Sequence, residues 1–202
     1  EERIDCLVNN AGYAQYGPLE DVPPRKVHRQ FDVNVYGPHR LIRAALPHMR
    51  EREDGTIVNV SSVSGRVATP GMGVYNGSKF ALEGMSDALR GEVSDYDIDV
   101  AVVEPGPVET NFDDRAEAEI EGLDRSGAYE QLYAFFEDAS AVNGIGAVPP
   151  EAVAEVITEA AVSPDPRSRY PVGQAGRFGV AARFLPDKWL DAVYALVRRF
   201  SR

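Results

Sequence analysis

The chain holds a single cysteine and three lysines among 202 residues. Cys6 has no partner, so an internal disulfide is excluded. It falls in the apolar run Ile4–Val8, where a buried strand thiol is expected. No apolar stretch approaches the roughly 18–20 residues that a membrane-spanning helix needs. The first residues, Glu1-Glu2-Arg3-Ile4-Asp5, lack the basic start and apolar stretch of a signal peptide. These scarcities set the expectation of a cytoplasmic protein.

Positive charge is also scarce. Lys26, Lys79 and Lys188 are the only lysines, arginine supplies the other 18 basic residues, and the formal net charge is −11. That argues against nucleic acid as a partner, because phosphate binding needs a basic face. Acid-rich, lysine-poor composition fits either a salt-adapted cytosol or an ordinary acidic surface. The segment Ser163–Arg202 runs against the trend. Its eight Lys/Arg and three Asp/Glu give +5, leaving −16 for the rest.

What is present suits one globular domain with a core, at 44% hydrophobic residues. Ile4–Val8 reads as a buried strand ending in the polar turn Asn9-Asn10-Ala11-Gly12. Pro23–Arg50 has helical periodicity, with Val27, Phe31, Asn34, Val35, Leu41, Ile42, Ala45 and Met49 as inward candidates. Pro38 and Pro47 are expected to kink or segment it. Thr56–Ser61 reads as a second strand, Gly65–Gly73 as a loop, and a helix follows to about Glu92. Asp99–Glu104 is a third strand, closed by Pro105-Gly106-Pro107. Residues 108–148 are acidic, then aromatic at Tyr129, Tyr133, Phe135 and Phe136, and suggest a mobile segment with one or two helices. Pro149-Pro150-Glu151 opens a helix to about Val162. Arg169–Val172 is a short last strand, and Pro186–Phe200 a final amphipathic helix. Continuously apolar strands alternating with helices predict an α/β fold, a parallel sheet with helices on both faces.

The chemistry-bearing feature is Tyr75 and Lys79 on one helix. At a spacing of four they share a face. A free phenol has a pKa of about 10, and a nearby ammonium favours the phenolate. The expectation is a Tyr75 whose pKa is lowered and which exchanges a proton with a substrate oxygen. Ser62, 13 residues before Tyr75, ends the second strand; Asn34 lies on the preceding helix; Asn9–Gly12 ends the first strand. Ligands of parallel α/β sheets bind outside the carboxyl ends of strands, where all these residues fall.

Asn9-Asn10-Ala11-Gly12, Asn34, Ser62, Tyr75-x-x-x-Lys79 and Pro105-Gly106-Pro107-Val108-Glu109-Thr110 come in the order and spacing of the short-chain dehydrogenase/reductase family, which the chain resembles. The resemblance is strong over residues 4–110 and loose beyond. It implies the C-terminal part of a Rossmann-like, doubly wound parallel sheet. It implies interconversion of a carbonyl and an alcohol with NAD or NADP, on a small or lipophilic molecule. Tyr75 would be the general acid/base, and Lys79 would bind the nicotinamide ribose and lower the Tyr75 pKa. Ser62 would bond the substrate oxygen, and Asn34 would hold a water in a relay to Lys79. Asn10, Ala11, Gly12, Pro105, Gly106, Val108 and Thr110 would line the cofactor. No metal is implied. Pairing through the helices bearing Asn34 and Tyr75 would make a homodimer or homotetramer.

The family begins with a strand, a Gly-rich turn and a helix that are not found before Ile4, a difference of about 70–90 residues. The expectation is that residues 1–202 form a single partial domain, from the family's fourth strand onward. Residues 108–148 would be the substrate loop and helices, and 163–202 a basic C-terminal segment. The first strand would then be an exposed apolar edge, and this polypeptide alone would bind the cofactor weakly. A non-catalytic scaffold or binding protein is the alternative, and an epimerase or dehydratase of the extended relatives is a more distant one.

Several residues carry plainer readings. Ser61 and Ser64 read as structural, as does Asn9 at its strand end. His28, His39 and His48 read as a solvated face. The aromatic group at 129–136 is core under a loop or the wall of a lipophilic pocket. The basic tail, Arg177–Leu190, is a lid or interface helix, or else a peripheral membrane contact.

Overall fold

The computed structural model describes residues 3–139, 146–186, 188, 189 and 192. Four parallel strands form one sheet in chain order: β1 Cys6–Asn9, β2 Gly55–Val60, β3 Ile98–Pro105 and β4 Arg169–Val172. Parallel neighbours require crossovers, and helices supply them. They are α1 Pro24–Phe31, α2 Gly37–Arg52, α3 Gly73–Glu92, α4 Phe112–Glu121, α5 Glu130–Ala139, α6 Pro150–Val162 and α7 Gly173–Ala182.

The strands are apolar throughout because both faces are covered. Successive side chains point to opposite faces. Ile57 and Val100 therefore join Ile42, Met49 and Leu89 of α2 and α3, whereas Val58, Ala101 and Val103 join Val153 and Ala160 of α6. The register pairs Ile57 with Val100 and Val58 with Ala101, so each layer is continuous across the sheet. Full burial of side chains such as Met49 and Ile57 contributes about 1.5–3 kcal/mol each.

β1 is the sheet edge among the described residues, and Val8 is 40% exposed there. Cys6 is only half-buried, not enclosed as expected, because β1 pairs on one side. The long helix expected at Pro23–Arg50 is three pieces: α1, a π turn at Asp32–Tyr36, and α2. Pro38 lies in the first turn of α2 and has no N–H to give the Asn34 carbonyl, so the helix register breaks there. Pro47 stays inside α2. Leu41, expected inward, is 53% exposed: the π turn rotates the α2 face and hands the core to Ile42, Ala45 and Met49.

The segment 108–148 carries α4 and α5. α7 overlaps the tail helix expected from Arg177 but starts earlier, at Gly173, although Gly173, Gly176 and Gly179 lower the helix propensity of its sequence. The amphipathic helix expected at 186–200 lies largely outside the described residues. Among the described residues no helix is long and apolar enough to cross a membrane.

Candidate active site

The carboxyl ends of β1, β2 and β3 bring three connecting segments together, which is where a parallel sheet places its ligands. After β2 the chain stays extended at Ser62 (φ −169°, ψ 162°) and enters a 3₁₀ turn, Val63–Gly65. The Ser62 hydroxyl accepts from the Ser64 N–H at 3.1 Å and donates to the Pro105 carbonyl at 3.4 Å. It thereby ties the end of β2 to the end of β3. Asn76 holds the loop that follows: its amide donates to the Ser64 and Val67 carbonyls and its oxygen accepts from the Thr69 N–H.

Tyr75 stands in the first turn of α3 and Lys79 one turn on, each 5% exposed. Lys79 Nζ donates to the Val60 carbonyl at 2.9 Å and lies 5.9 Å from the centre of the Tyr75 ring. Asn34, in the π turn, is fully enclosed. Its oxygen accepts from the Tyr13 N–H at 3.2 Å, and its nitrogen donates to the Tyr13 carbonyl and Ser78 Oγ, both at 3.1 Å. A Cβ on Gly12 would stand 3.2 Å from Asn34 Oδ1 and 3.7 Å from Lys79 Nζ. The four residues expected from sequence to carry the chemistry thus surround one region.

The electrostatics differ from expectation. Burial pushes the Tyr75 phenol up to about 12; the Ser62 hydroxyl works against this and the Asp113 carboxylate adds to it. Lys79 is not among the groups that shift the phenol; its ammonium is bonded to the Val60 carbonyl. Burial also brings Lys79 down to about 8, with Glu83 opposing. At neutral pH Tyr75 is therefore a protonated donor beside a lysine close to losing its charge.

Aromatic rings wall the phenol. Tyr16 meets Tyr75 edge-on at 6.1 Å, Phe136 stacks on Tyr16 at 5.7 Å, and Phe112 lies 5.8 Å from Tyr75. Ala14 and Ala116 pack in the same cluster, so α4 lies against the site. Asp113 bonds the Tyr16 hydroxyl, and burial raises the pKa of both groups. This segment is fastened to earlier parts of the chain. Lys26 and Arg29 pair with Glu119 at 2.5 and 3.2 Å, and Gln15 Nε2 donates to the Glu119 carbonyl at 3.3 Å. The Tyr133 hydroxyl donates to Asp21 at 2.7 Å and that of Tyr129 to Glu20 at 2.6 Å. Tyr133 is thus core under the loop, whereas Phe136 stacks on Tyr16 beside the phenol.

The expected cofactor residues divide. Asn10, Ala11 and Gly12 are exposed beyond β1. Pro105 is buried and accepts from Ser62. Gly106 donates to the Val172 carbonyl at 3.2 Å and backs onto Gly176 of α7, so its smallness serves packing. Val108 bridges to Val148, and Thr110 Oγ1 accepts from the Phe112 N–H at the start of α4. Asn9 bonds Asn59 at 2.7 Å, a structural role as expected. The three histidines are exposed.

The sequence reading missed a buried ionic group just behind the site. Arg66, Glu83, Glu104 and Arg169 come from four different elements and pair at 3.2–3.7 Å. Glu83 could have been suspected: it follows Lys79 by the same four-residue step that separates Lys79 from Tyr75, within the apolar run Phe80-Ala81-Leu82.

Comparison with known proteins gives the family and the fold. The chain matches the short chain dehydrogenase family over residues 2–121. An uncharacterised oxidoreductase of Schizosaccharomyces pombe is 38% identical over 204 residues, covering 98% of this chain and 80% of that protein. An NADPH-dependent 3-dehydrocapnine reductase of Ornithobacterium rhinotracheale is 34% identical, covering 95% of this chain and 69% of that one. The crystal structure of a short-chain dehydrogenase/reductase from Burkholderia phymatum in complex with NAD matches with a TM-score of 0.74 at 26% identity, covering 94% and 67% of the two chains. With a family match over more than half its length and the parallel sheet beside which Ser62, Tyr75 and Lys79 gather, this oxidoreductase chain belongs to the short-chain dehydrogenase family.

Proposed function

We propose that the protein interconverts a carbonyl and an alcohol, with Tyr75 exchanging the proton and Ser62 bonding the same substrate oxygen. The observation that carries this reading is the convergence of Ser62, Tyr75, Lys79 and Asn34 at the carboxyl ends of β1–β3. The residues present fit a nicotinamide cofactor. Gly12 leaves open the space beside Asn34 and Lys79, and Lys79 spends one of its three donors on Val60. Asn10, Ala11, Gly12, Lys79 and Val108 would hold NAD or NADP, as the NAD-bound and NADPH-dependent relatives support. Bound there, the cofactor would supply or accept the hydride.

The chain's own residues do the rest. A phenol at about 12 is fully protonated at neutral pH and serves as the donor to an oxygen gaining negative charge. Ser62, beside it, would add a second hydroxyl donor to that oxygen by turning its hydrogen away from the Pro105 carbonyl. Asn34 acts by position. Its amide is spent on Tyr13 and Ser78, so its carbonyl, which has no i+4 donor from Pro38, is the group left for a water relay to Lys79. Tyr16, Phe112 and Phe136 exclude water and favour a lipophilic substrate. Leu41 and Phe80, exposed on α2 and α3, support pairing of two copies through those helices.

The test is cofactor oxidation with a panel of carbonyls in the full protein. Tyr75→Phe should lower turnover by about 10²–10⁴-fold with unchanged circular dichroism. Full activity in that variant would end the reading.

A further inference from the structure

Arg66 leaves the 3₁₀ turn that Ser62 caps and enters the interior, where its side chain is 10% exposed. It meets Glu83 of α3 at 3.7 Å and Glu104 of β3 at 3.3 Å. Arg169 of β4 reaches the same two carboxylates, at 3.2 and 3.4 Å, and also holds Asp87 at 2.7 Å. Glu83 is 2% exposed and Glu104 fully enclosed. Two arginines and two glutamates thus cross-link the segments that bear Ser62, Lys79 and the Pro105–Val108 turn.

Glu83 has a second neighbour. It follows Lys79 by one helical turn, so both lie on the inward face of α3. A Cβ on Gly65 would stand 3.0 Å from Glu83 Cγ and 3.1 Å from the Lys79 carbonyl, so the turn after Ser62 covers that face. Both arginines address Glu83 Oε2, while Oε1 is buried and takes no hydrogen bond. A buried carboxylate with one oxygen free is a strong local field, because little water screens it. A buried ammonium needs such a field, since loss of hydration alone would discharge it.

We propose that Glu83 is a positioning residue for Lys79: its carboxylate, fixed by Arg66 and Arg169, keeps the buried Lys79 charged and bonded to the Val60 carbonyl. Arg66 adds a mechanical consequence, since the same guanidinium fastens the Ser62 turn to the helix carrying Tyr75 and Lys79. The inference rests on the reading of Lys79 as part of the reaction centre. The direction in which Glu83 acts agrees with it: Glu83 raises the Lys79 pKa while burial lowers it to about 8. The charged groups facing Glu83 are Arg66 after the 3₁₀ turn, Glu104 on β3, Arg169 on β4, and Lys79 and Asp87 on α3. Glu104 is pushed up to about 7 by burial and by Glu83, so its own titration overlaps the lower part of the range in which Lys79 titrates.

With three lysines in the chain, nuclear magnetic resonance of ¹³Cε-labelled lysine resolves the question directly. Lys79→Arg identifies the resonance by its loss. In Glu83→Gln, the Lys79 resonance should titrate about one pH unit lower than in the native protein, while those of Lys26 and Lys188 stay in place. The high-pH limb of the kcat/KM profile should move by the same amount. A structural role alone would lower activity without moving either titration, so an unmoved Lys79 overturns the proposal. If Glu83→Gln does not fold, Arg66→Gln is compared with Arg66→Gln/Glu83→Gln, and the second must again titrate lower. The resonance does not depend on turnover. An active Tyr75→Phe would end the catalytic reading while leaving this measurement to stand or fall by itself.

Discussion

Asn34 grips the backbone of Tyr13 with both ends of its amide, accepting from the N–H at 3.2 Å and donating to the carbonyl at 3.1 Å. A residue that the family likeness gives to a proton relay therefore also fixes the segment leaving β1. Asn34→Ala should leave the Tyr13 N–H without its partner in a part-buried site, at a cost of about 1–3 kcal/mol. The Tyr13 carbonyl keeps Gln30, which donates to it at 2.8 Å, so the loss stays moderate. Urea unfolding measures it. A variant as stable as the native protein would show that the contact contributes nothing net.

Lys79→Met should trade function for stability. The native-state pKa of about 8 lies below the ordinary lysine value of 10.5, so the unfolded chain binds more protons between these values. Native stability therefore rises with pH across that window. At pH 7 the methionine variant, which buries no charge, should be more stable by about 1–3 kcal/mol. The gain should fade from pH 8 upward as the native lysine sheds its proton. Thermal melts at pH 7 and pH 9.5 check the sign, and a destabilised variant at pH 7 would refute it. Turnover should be lost at both.

Tyr16→Ala should discriminate by substrate size. The ring packs between Tyr75 and Phe136, and no catalytic proton is assigned to it. Removing it should lower kcat/KM for a bulky apolar ketone by roughly 10–100-fold, and for a small one much less. Equal losses for both would mean that Tyr16 supports Tyr75 rather than the substrate.

Local pattern made the fold legible wherever pattern decides structure. The runs around Ile57–Val60 and Asp99–Glu104 could only be buried strands, and Tyr75 and Lys79 shared a face by helical spacing alone. Three things could not be read that way. The π turn at Asp32–Tyr36 depends on Pro38 removing one donor at one register, and an amphipathic pattern shows no sign of it. The upward shift of the Tyr75 phenol comes first from burial and then from the Asp113 carboxylate of α4, nearly forty residues away in sequence. The Arg66–Glu83–Glu104–Arg169 group joins four elements, each contributing one charged residue that looks ordinary in its own stretch.

The attachment of α4 and α5 has a consequence for altering specificity. Glu119, Tyr129 and Tyr133 are held by Lys26, Arg29, Gln15, Glu20 and Asp21, all more than ninety positions earlier except Arg29, which stands ninety before Glu119. A graft that exchanges only residues 108–148 with a relative would leave the anchors of the old segment behind. The transplanted helices would arrive without their moorings. Chimeras that carry residues 15–29 together with 108–148 keep the two halves of the enclosure matched.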